Sequence, residues 1–184
     1  MPSIPLPAPL LTDGEVLLRP WSLADISAVT SACQDPEIPR WTAVPHGYTE
    51  RDATEFIATR EEDRAAGVGI SFAVVDSDGK LLGSIGLMNF DWPERKAEIG
   101  YWVATDARRR GVGTRALVLL SRWAIEQLGL ERIELTASPR NAASLALARR
   151  AGFTREGTLR RFRYRHGERE DLVMHSLLPE DLGR

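Results

Sequence analysis

Arg108-Arg109-Arg110-Gly111-Val112-Gly113-Thr114 is the stretch on which the reading of this chain turns. It lies between an alternating segment, Lys96 to Val103, and an amphipathic one, Gly113 to Leu128. In the latter, Ala116, Leu119, Leu120, Trp123, Ala124 and Leu128 recur at helical spacing. A glycine-bearing loop that opens a helix leaves several amide N–H groups without intrahelical partners, and the helix dipole adds positive potential at the same place. Such a place suits a diphosphate, and three arginines add charge-assisted donors. The same residues fit a second pattern. Gly111-Val112-Gly113-Thr114-Arg115-Ala116 satisfies G-x-G-x-x-A, the dinucleotide fingerprint, and Glu131 or Glu134 follows about 20 residues on. In the dinucleotide unit the strand runs straight into the first glycine, whereas here Thr105 to Arg110 intervene. An NAD(P)-binding oxidoreductase is the remote alternative.

Outward from this segment, the pattern changes twice. On the C-terminal side Arg132 to Ala137 reads as a strand, Ala142 to Arg150 as a short helix, and Thr154 to Tyr164 with Glu170 to Leu177 as a hairpin around His166-Gly167. On the N-terminal side Ile70 to Val75 and Leu81 to Phe90 form a hairpin around Ser77-Asp78-Gly79. Earlier still, Glu15 to Arg19 is a strand ended by Pro20, and Ser22 caps a helix carrying Ile26 and Val29. Thr49 with Asp52 caps another that runs to about Arg64, and a loop with Pro36, Pro39 and Pro45 joins the two. One strand–helix–strand crossover among hairpins demands a parallel pair beside antiparallel ones. The prediction is an α/β (α+β) single domain with a mixed, mostly antiparallel sheet of about seven strands flanked by about four helices. Residues 1–14 read as an N-terminal extension, 15–178 as the domain and 179–184 as a C-terminal tail.

Composition narrows the function classes. A chain of 184 residues with 43% hydrophobic and 27% charged residues folds as one soluble domain with a sizeable core. No apolar run is long enough to span a bilayer, and the proline-rich start lacks the features of a secretory signal, so no membrane partner and a cytoplasmic setting are expected. The single cysteine, Cys33, forms no internal disulfide and is too little for a zinc cluster; no metal is expected. Net charge is -2, but residues 1–100 hold 8 basic against 16 acidic side chains and residues 101–184 hold 16 against 10. The basic half suits an anionic ligand and the acidic half a cationic one. The overall sign argues against general nucleic-acid binding.

Taken together, these motifs resemble the GNAT superfamily of acyl-CoA-dependent N-acetyltransferases. Arg108-x-x-Gly111-x-Gly113 is similar to the family's pyrophosphate loop. Asn141-Ala142-Ala143-Ser144 followed by Ala151-Gly152-Phe153 is similar to its second cofactor segment. Ala97 to Val103, Gly167 to Asp171 and Leu17-Leu18-Arg19-Pro20 resemble the branch that acetylates N-terminal amines (alanine or serine) of ribosomal proteins. The resemblance implies a GNAT acyltransferase fold and acetyl-CoA as co-substrate, with a primary amine as acceptor: a peptide N-terminus or a small molecule. It implies direct attack of that amine on the thioester and a monomer or homodimer. Another acyl-CoA such as succinyl-CoA, or a non-catalytic acyl-CoA-binding module, are the alternatives.

The resemblance also assigns residues. The pyrophosphate falls to Arg108, Arg109, Arg110, Gly111, Val112, Gly113 and Thr114, and the pantetheine arm to the strand Ile99, Tyr101, Trp102, Val103, with a backbone N–H near Tyr101 polarising the thioester carbonyl. Asn141 is expected at the cofactor arm or as a helix N-cap. Many relatives carry a tyrosine acid seven positions after this asparagine, and here that position is Ala148. Ser144 is the expected hydrogen-bond donor to the departing thiolate. Glu98 is the expected base: it sits in an otherwise apolar strand, where a carboxylate is costly unless it has work or a partner. Arg40 and Trp41 are expected to line the acceptor groove. His46, His166 and His175 show no ligand spacing and are read as structural.

Overall fold

Alternation builds the sheet. In the computed structural model, which describes residues 1–165 and 167–183, Ile70, Phe72 and Val74 point to one face of a strand while Ala73 and Val75 point to the other. In chain order the strands are β1 (Leu11–Thr12), β2 (Leu17–Pro20), β3 (Gly69–Val75), β4 (Leu81–Asp91), β5 (Lys96–Val103), β6 (Arg132–Ala137), β7 (Thr154–Arg165) and β8 (Glu168–Leu177). The helices are α1 (Ile26–Ala32), α2 (Glu37–Trp41), α3 (Glu50–Ala65), α4 (Val112–Glu126) and α5 (Ala142–Arg150). The eight strands lie in the order β1-β2-β3-β4-β5-β6-β8-β7, all antiparallel neighbours except β5 and β6. That order is not a doubly wound sheet, and a 3-10 turn, Thr105–Ala107, separates β5 from the glycine loop. The G-x-G-x-x-A match is a coincidence of spacing.

Two cores follow from the two faces. The larger joins α4 to the sheet: Ala116, Leu117, Leu120, Trp123 and Ala124 pack with Phe72, Leu82, Ile85, Leu87, Ile99, Ile133 and Leu135. Trp123 meets the edge of Phe72 at 6.3 Å between ring centres. Leu117 and Leu120 are fully buried, each contributing about 1.5–3 kcal/mol by leaving water. The smaller core lies under α1, α2 and α3, with Trp21, Val29, Cys33, Ile38, Tyr48, Ala53 and Ile57 against Ala73, Val75 and Leu81.

The sheet gains one strand over the expected seven because Leu11–Thr12 pairs with Leu17–Leu18. The preceding residues join the same core, Ile4 being fully buried. The chain gains one helix because the proline loop contains α2. Pro39 stands at its third helical position, where an N–H has no intrahelical acceptor and its loss costs little. Thr49 caps α3 as expected, its hydroxyl accepting from Asp52 N at 3.3 Å. At Ser22 the cap is carried by Asp25, whose Oδ2 accepts from Ser22 N at 2.9 Å. The expected turn residue His166 lies outside the described residues. No helix of the described residues is long and apolar enough to cross a membrane.

Candidate active site

β5 and β6 run parallel for three rungs and then part. Lys96, Ala97 and Glu98 pair with Arg132, Ile133 and Glu134, but β5 continues to Val103 and β6 to Ala137 with no further pairing between them. Beyond Glu98, β5 therefore has a ladder partner on its β4 side alone. On the open side Val103 O accepts from Arg108 Nε at 3.1 Å, and Tyr101, whose backbone N–H and C=O face away from β4, has no ladder partner there among the described residues. Extended backbone left without partners accepts an extended ligand segment as an added strand.

The glycine loop stands at the end of this gap. Arg109 and Gly111 both have positive φ, 61° and 80°, and Gly111 is the left-handed N-cap of α4. The N–H groups of Val112, Gly113 and Thr114 precede the first intrahelical bond, Arg115 N to Gly111 O at 3.0 Å, and stay available. A chain bent this way at a helix start forms a concave set of donors for an anion. The three arginines divide. Arg108 ion-pairs with Asp35, which also accepts from Thr105 Oγ1 at 2.7 Å, so its guanidinium braces the loop. Arg109 and Arg110 are exposed and make no hydrogen bond or ion pair among the described residues. At Gly113 a Cβ would meet Leu147 Cδ1 at 2.5 Å and Val103 Cγ2 at 3.2 Å, so glycine there makes room for the protein's own side chains.

Glu98 occupies the last paired rung. Its Oε1 accepts from Thr136 Oγ1 of β6 at 2.8 Å and its Oε2 from Asn89 Nδ2 at 2.9 Å, and Arg163 Nη2 stands 3.9 Å from Oε1. The carboxylate thus has three polar neighbours from three other strands, a quarter of its side chain remaining in solvent. A groove of about 660 Å³ opens beside it, walled by the stacked rings of Phe90 and Trp92 with Pro93 and Lys96.

Three residues along β5 the side chain points to the opposite face. There Tyr101 packs among the α4 core and its Oη shares a 2.9 Å hydrogen bond with Ser144 Oγ in the first turn of α5. Burial pushes the Tyr101 phenol above its usual range, the bond from Ser144 opposing part of that rise. Ser144 N in turn donates to Asn141 Oδ1 at 3.1 Å. Asn141 is the N-cap of α5, and by fixing that first turn it places the hydroxyl. The missing tyrosine at Ala148, which is fully buried, has a phenol nearby from a different element. Reading α5 alone could not find it; the alternation that puts Tyr101 on the Ile99 and Val103 face was the available signal.

Arg40 and Trp41 are turned toward each other. The Arg40 guanidinium lies 4.7 Å from the Trp41 ring centre, and Glu37 accepts from both at 3.0 Å. They are not brought against Glu98; the link to this side of the sheet is Arg165 Nη1, which donates to Arg40 O at 3.3 Å. Trp102 packs between the two cores. His175 is buried under α5, where desolvation lowers its pKa and Nδ1 finds no partner among the described residues. Cys33 is buried and its thiol is pushed up to about 12 by desolvation, so it is no nucleophile.

Comparison with known proteins bears on the family and the fold. The model of the acetyltransferase (GNAT) domain matches residues 15–154. A Bacillus subtilis protein named "Putative ribosomal N-acetyltransferase YdaF" is 42% identical over 104 residues, 56% of this chain and 57% of that protein, so the match spans little more than half the relative's length. The L-amino acid N-acetyltransferase AaaT of Escherichia coli is 27% identical over 86% of this chain and 94% of its own. The structure of Mycobacterium smegmatis RimJ in complex with CoA-disulfide superposes with a TM-score of 0.84 at 25% identity, covering 95% of this chain and 87% of that one.

Proposed function

The chain belongs to the GNAT acetyltransferase family, and from that premise we propose that it moves an acetyl group from acetyl-CoA to a primary amine, with Glu98 as base and the Tyr101–Ser144 pair as hydroxyl donor. The observation that carries this reading is the parting of β5 and β6 with a carboxylate on one face of the opening and a half-buried hydroxyl pair on the other. Acetyl-CoA, when bound, supplies an activated acyl carbon and a thiolate leaving group. Every other task falls to the protein.

For the acyl donor the residues present fit. The N–H groups of Val112, Gly113 and Thr114, free of intrahelical acceptors, the left-handed Gly111 and the exposed guanidinium groups of Arg109 and Arg110, which make no hydrogen bond among the described residues, suit a pyrophosphate. The β5 edge around Tyr101, open on the side away from β4, suits the amide-bearing arm, in the manner of strand addition. Arg108 contributes by bracing the loop through Asp35.

Glu98 accepts the amine proton. Its two donors, Thr136 and Asn89, hold the carboxylate at the point where the strands part and leave lone pairs for the incoming N–H. On the far face the shared Tyr101–Ser144 hydrogen bond lets either hydroxyl turn outward while the other backs it, which solvates a developing thiolate without requiring a strong acid. The reading includes a cytosolic setting, supported by the single, buried Cys33 and the absence of any internal disulfide to form.

The test is free-thiol release from acetyl-CoA, with mass detection of product, against pools of peptides with different first residues, amino acids, polyamines and aminoglycosides. A pool that reacts, with saturable acetyl-CoA binding, supports the reading. Acetyl-CoA binding without transfer to any pool overturns the catalytic roles and leaves a binding module.

A further inference from the structure

The strand opposite Glu98 carries a cation that the fold has no evident structural need for. Arg163 in β7 reaches Thr136 Oγ1 through Nη2 at 3.2 Å and stands 3.9 Å from Glu98 Oε1, beyond hydrogen-bond range. Its remaining guanidinium donors have no partner among the described residues, and a third of the side chain is exposed. A register shift between Leu159 and Arg163, where Arg161 adopts a φ of 52° and its N–H donates to Asp171 Oδ1 at 2.7 Å, sets this part of β7. Two residues on, Arg165 shares the face, half-enclosed, with Glu170 at 3.6 Å and the Arg40 carbonyl at 3.3 Å. Burial and the charge of Arg163 together depress the pKa of Arg165, so the two cations repel. Along the groove on the other side of Glu98, Glu134 is taken by Arg132 at 2.8 Å and Asp91 stands with Lys96.

Resting on the acetyl-transfer reading, we propose that Arg163 determines acceptor specificity by binding the oxygen on the carbonyl carbon attached to the amine-bearing carbon, so that the acceptor is an α-amino acyl group rather than a polyamine or a lysine side chain. An amine hydrogen-bonded to Glu98 lies beside Arg163. In an α-amino acyl group the carbonyl or carboxylate oxygen sits one carbon away from the amine-bearing carbon, on the same short arm, and a forked guanidinium accommodates either. A polyamine would instead bring a second ammonium toward Arg163 and Arg165, where like charges already crowd. A side-chain amine on a long methylene stem has no oxygen within that reach.

The experiment compares kcat/KM for acceptors matched in side chain: an α-amino acid, its primary amide, a dipeptide beginning with it, and the corresponding amine without the carboxyl carbon, alongside spermidine. The wild-type enzyme should favour the oxygen-bearing acceptors by about 10- to 100-fold over the bare amine. The Arg163→Met variant should bring that ratio to within about threefold of one, and Arg163→Lys, which keeps the charge but loses the fork, to an intermediate value. The acid-to-amide ratio tells a carboxylate from a peptide carbonyl. A purely supporting role for Arg163 lowers all acceptors equally and leaves the ratio standing, which overturns the proposal. So does a wild-type preference for the bare amine or spermidine, a result that needs no variant to fold. Transfer to none of these acceptors overturns the Arg163 assignment, and transfer to none of the wider pools fails the acetyl-transfer reading itself; transfer indifferent to the oxygen fails the Arg163 assignment alone.

Discussion

Replacing Glu98 with glutamine removes a proton acceptor and almost nothing else. The carboxylate has one donor on each oxygen, Asn89 Nδ2 at 2.9 Å and Thr136 Oγ1 at 2.8 Å. A glutamine with its oxygen toward Asn89 keeps the first bond. Its NH2 then faces Thr136, whose hydroxyl turns to accept, since a threonine oxygen can do both. Arg163 loses a charge 3.9 Å away that it does not hydrogen-bond. Folding stability should therefore change by no more than about 1 kcal/mol, because an exposed or loosely held pair is worth about that or less. Acetyl-CoA affinity should be nearly unchanged, since the loop and the open strand edge proposed to hold it lie beyond Glu98. Turnover is different. A positioned general base contributes about 10²–10⁴-fold, or roughly 2.7–5.4 kcal/mol of barrier. The assay is thiol release at saturating acetyl-CoA, with acetyl-CoA binding followed by titration calorimetry and stability by urea denaturation. Turnover within about threefold of wild type, in a variant of normal stability and affinity, refutes Glu98 as the base.

Tyr101→Phe and Ser144→Ala should each lower kcat by about tenfold, and the double variant by little more than the worse single, because the two hydroxyls act as one donor; effects that multiply would separate them. Asp25 is buried and takes a two-pronged ion pair from Arg19 at 2.7 and 2.8 Å as well as the Ser22 N–H. The Arg19 bond holds its carboxyl below the usual carboxylate range. Asp25→Asn should cost about 2–4 kcal/mol at pH 7. A depressed carboxylate contributes stability above its unfolded pKa and loses it as pH falls through the folded one. The gap between wild type and variant in urea midpoint should therefore narrow steadily from about pH 4 downward, and a gap independent of pH would contradict the assignment.

The periodic elements were legible from the sequence because their causes are local. Alternation through Ile70 to Val75 and Lys96 to Val103, the Asp76 to Lys80 turn, and the helical spacing of Ala116, Leu120 and Trp123 each lie within one element. Two short elements escaped for equally local reasons. β1 is too short to show a period, and α2 carries a proline that ordinarily marks a loop but is harmless at a third helical position. For the candidate site the sequence could nominate positions but not partnerships. Glu98 and Ser144 stand out by type and place, but Tyr101 meets Ser144 across 43 residues and Arg108 meets Asp35 across 73, and no spacing rule reaches so far. For the same reason the sequence grouped Arg108 with Arg109 and Arg110 as equal phosphate donors, though the first guanidinium is already engaged by a carboxylate from before α2.

The parted strands also bear on how the molecule keeps to itself. A sheet of this order has two outer margins, and each is blunted: β1 is two residues long, and β7 is twice shifted in register and studded with arginines, features that discourage another chain from docking edge to edge. The third margin, on the β5 edge around Tyr101, has no such blunting, but it lies inside the sheet, where β6 stops pairing after Glu134. A gap between two strands of one sheet suits a single extended thread better than a second sheet. On the proposed reading this edge is offered to the acyl donor and withheld from other copies of the chain.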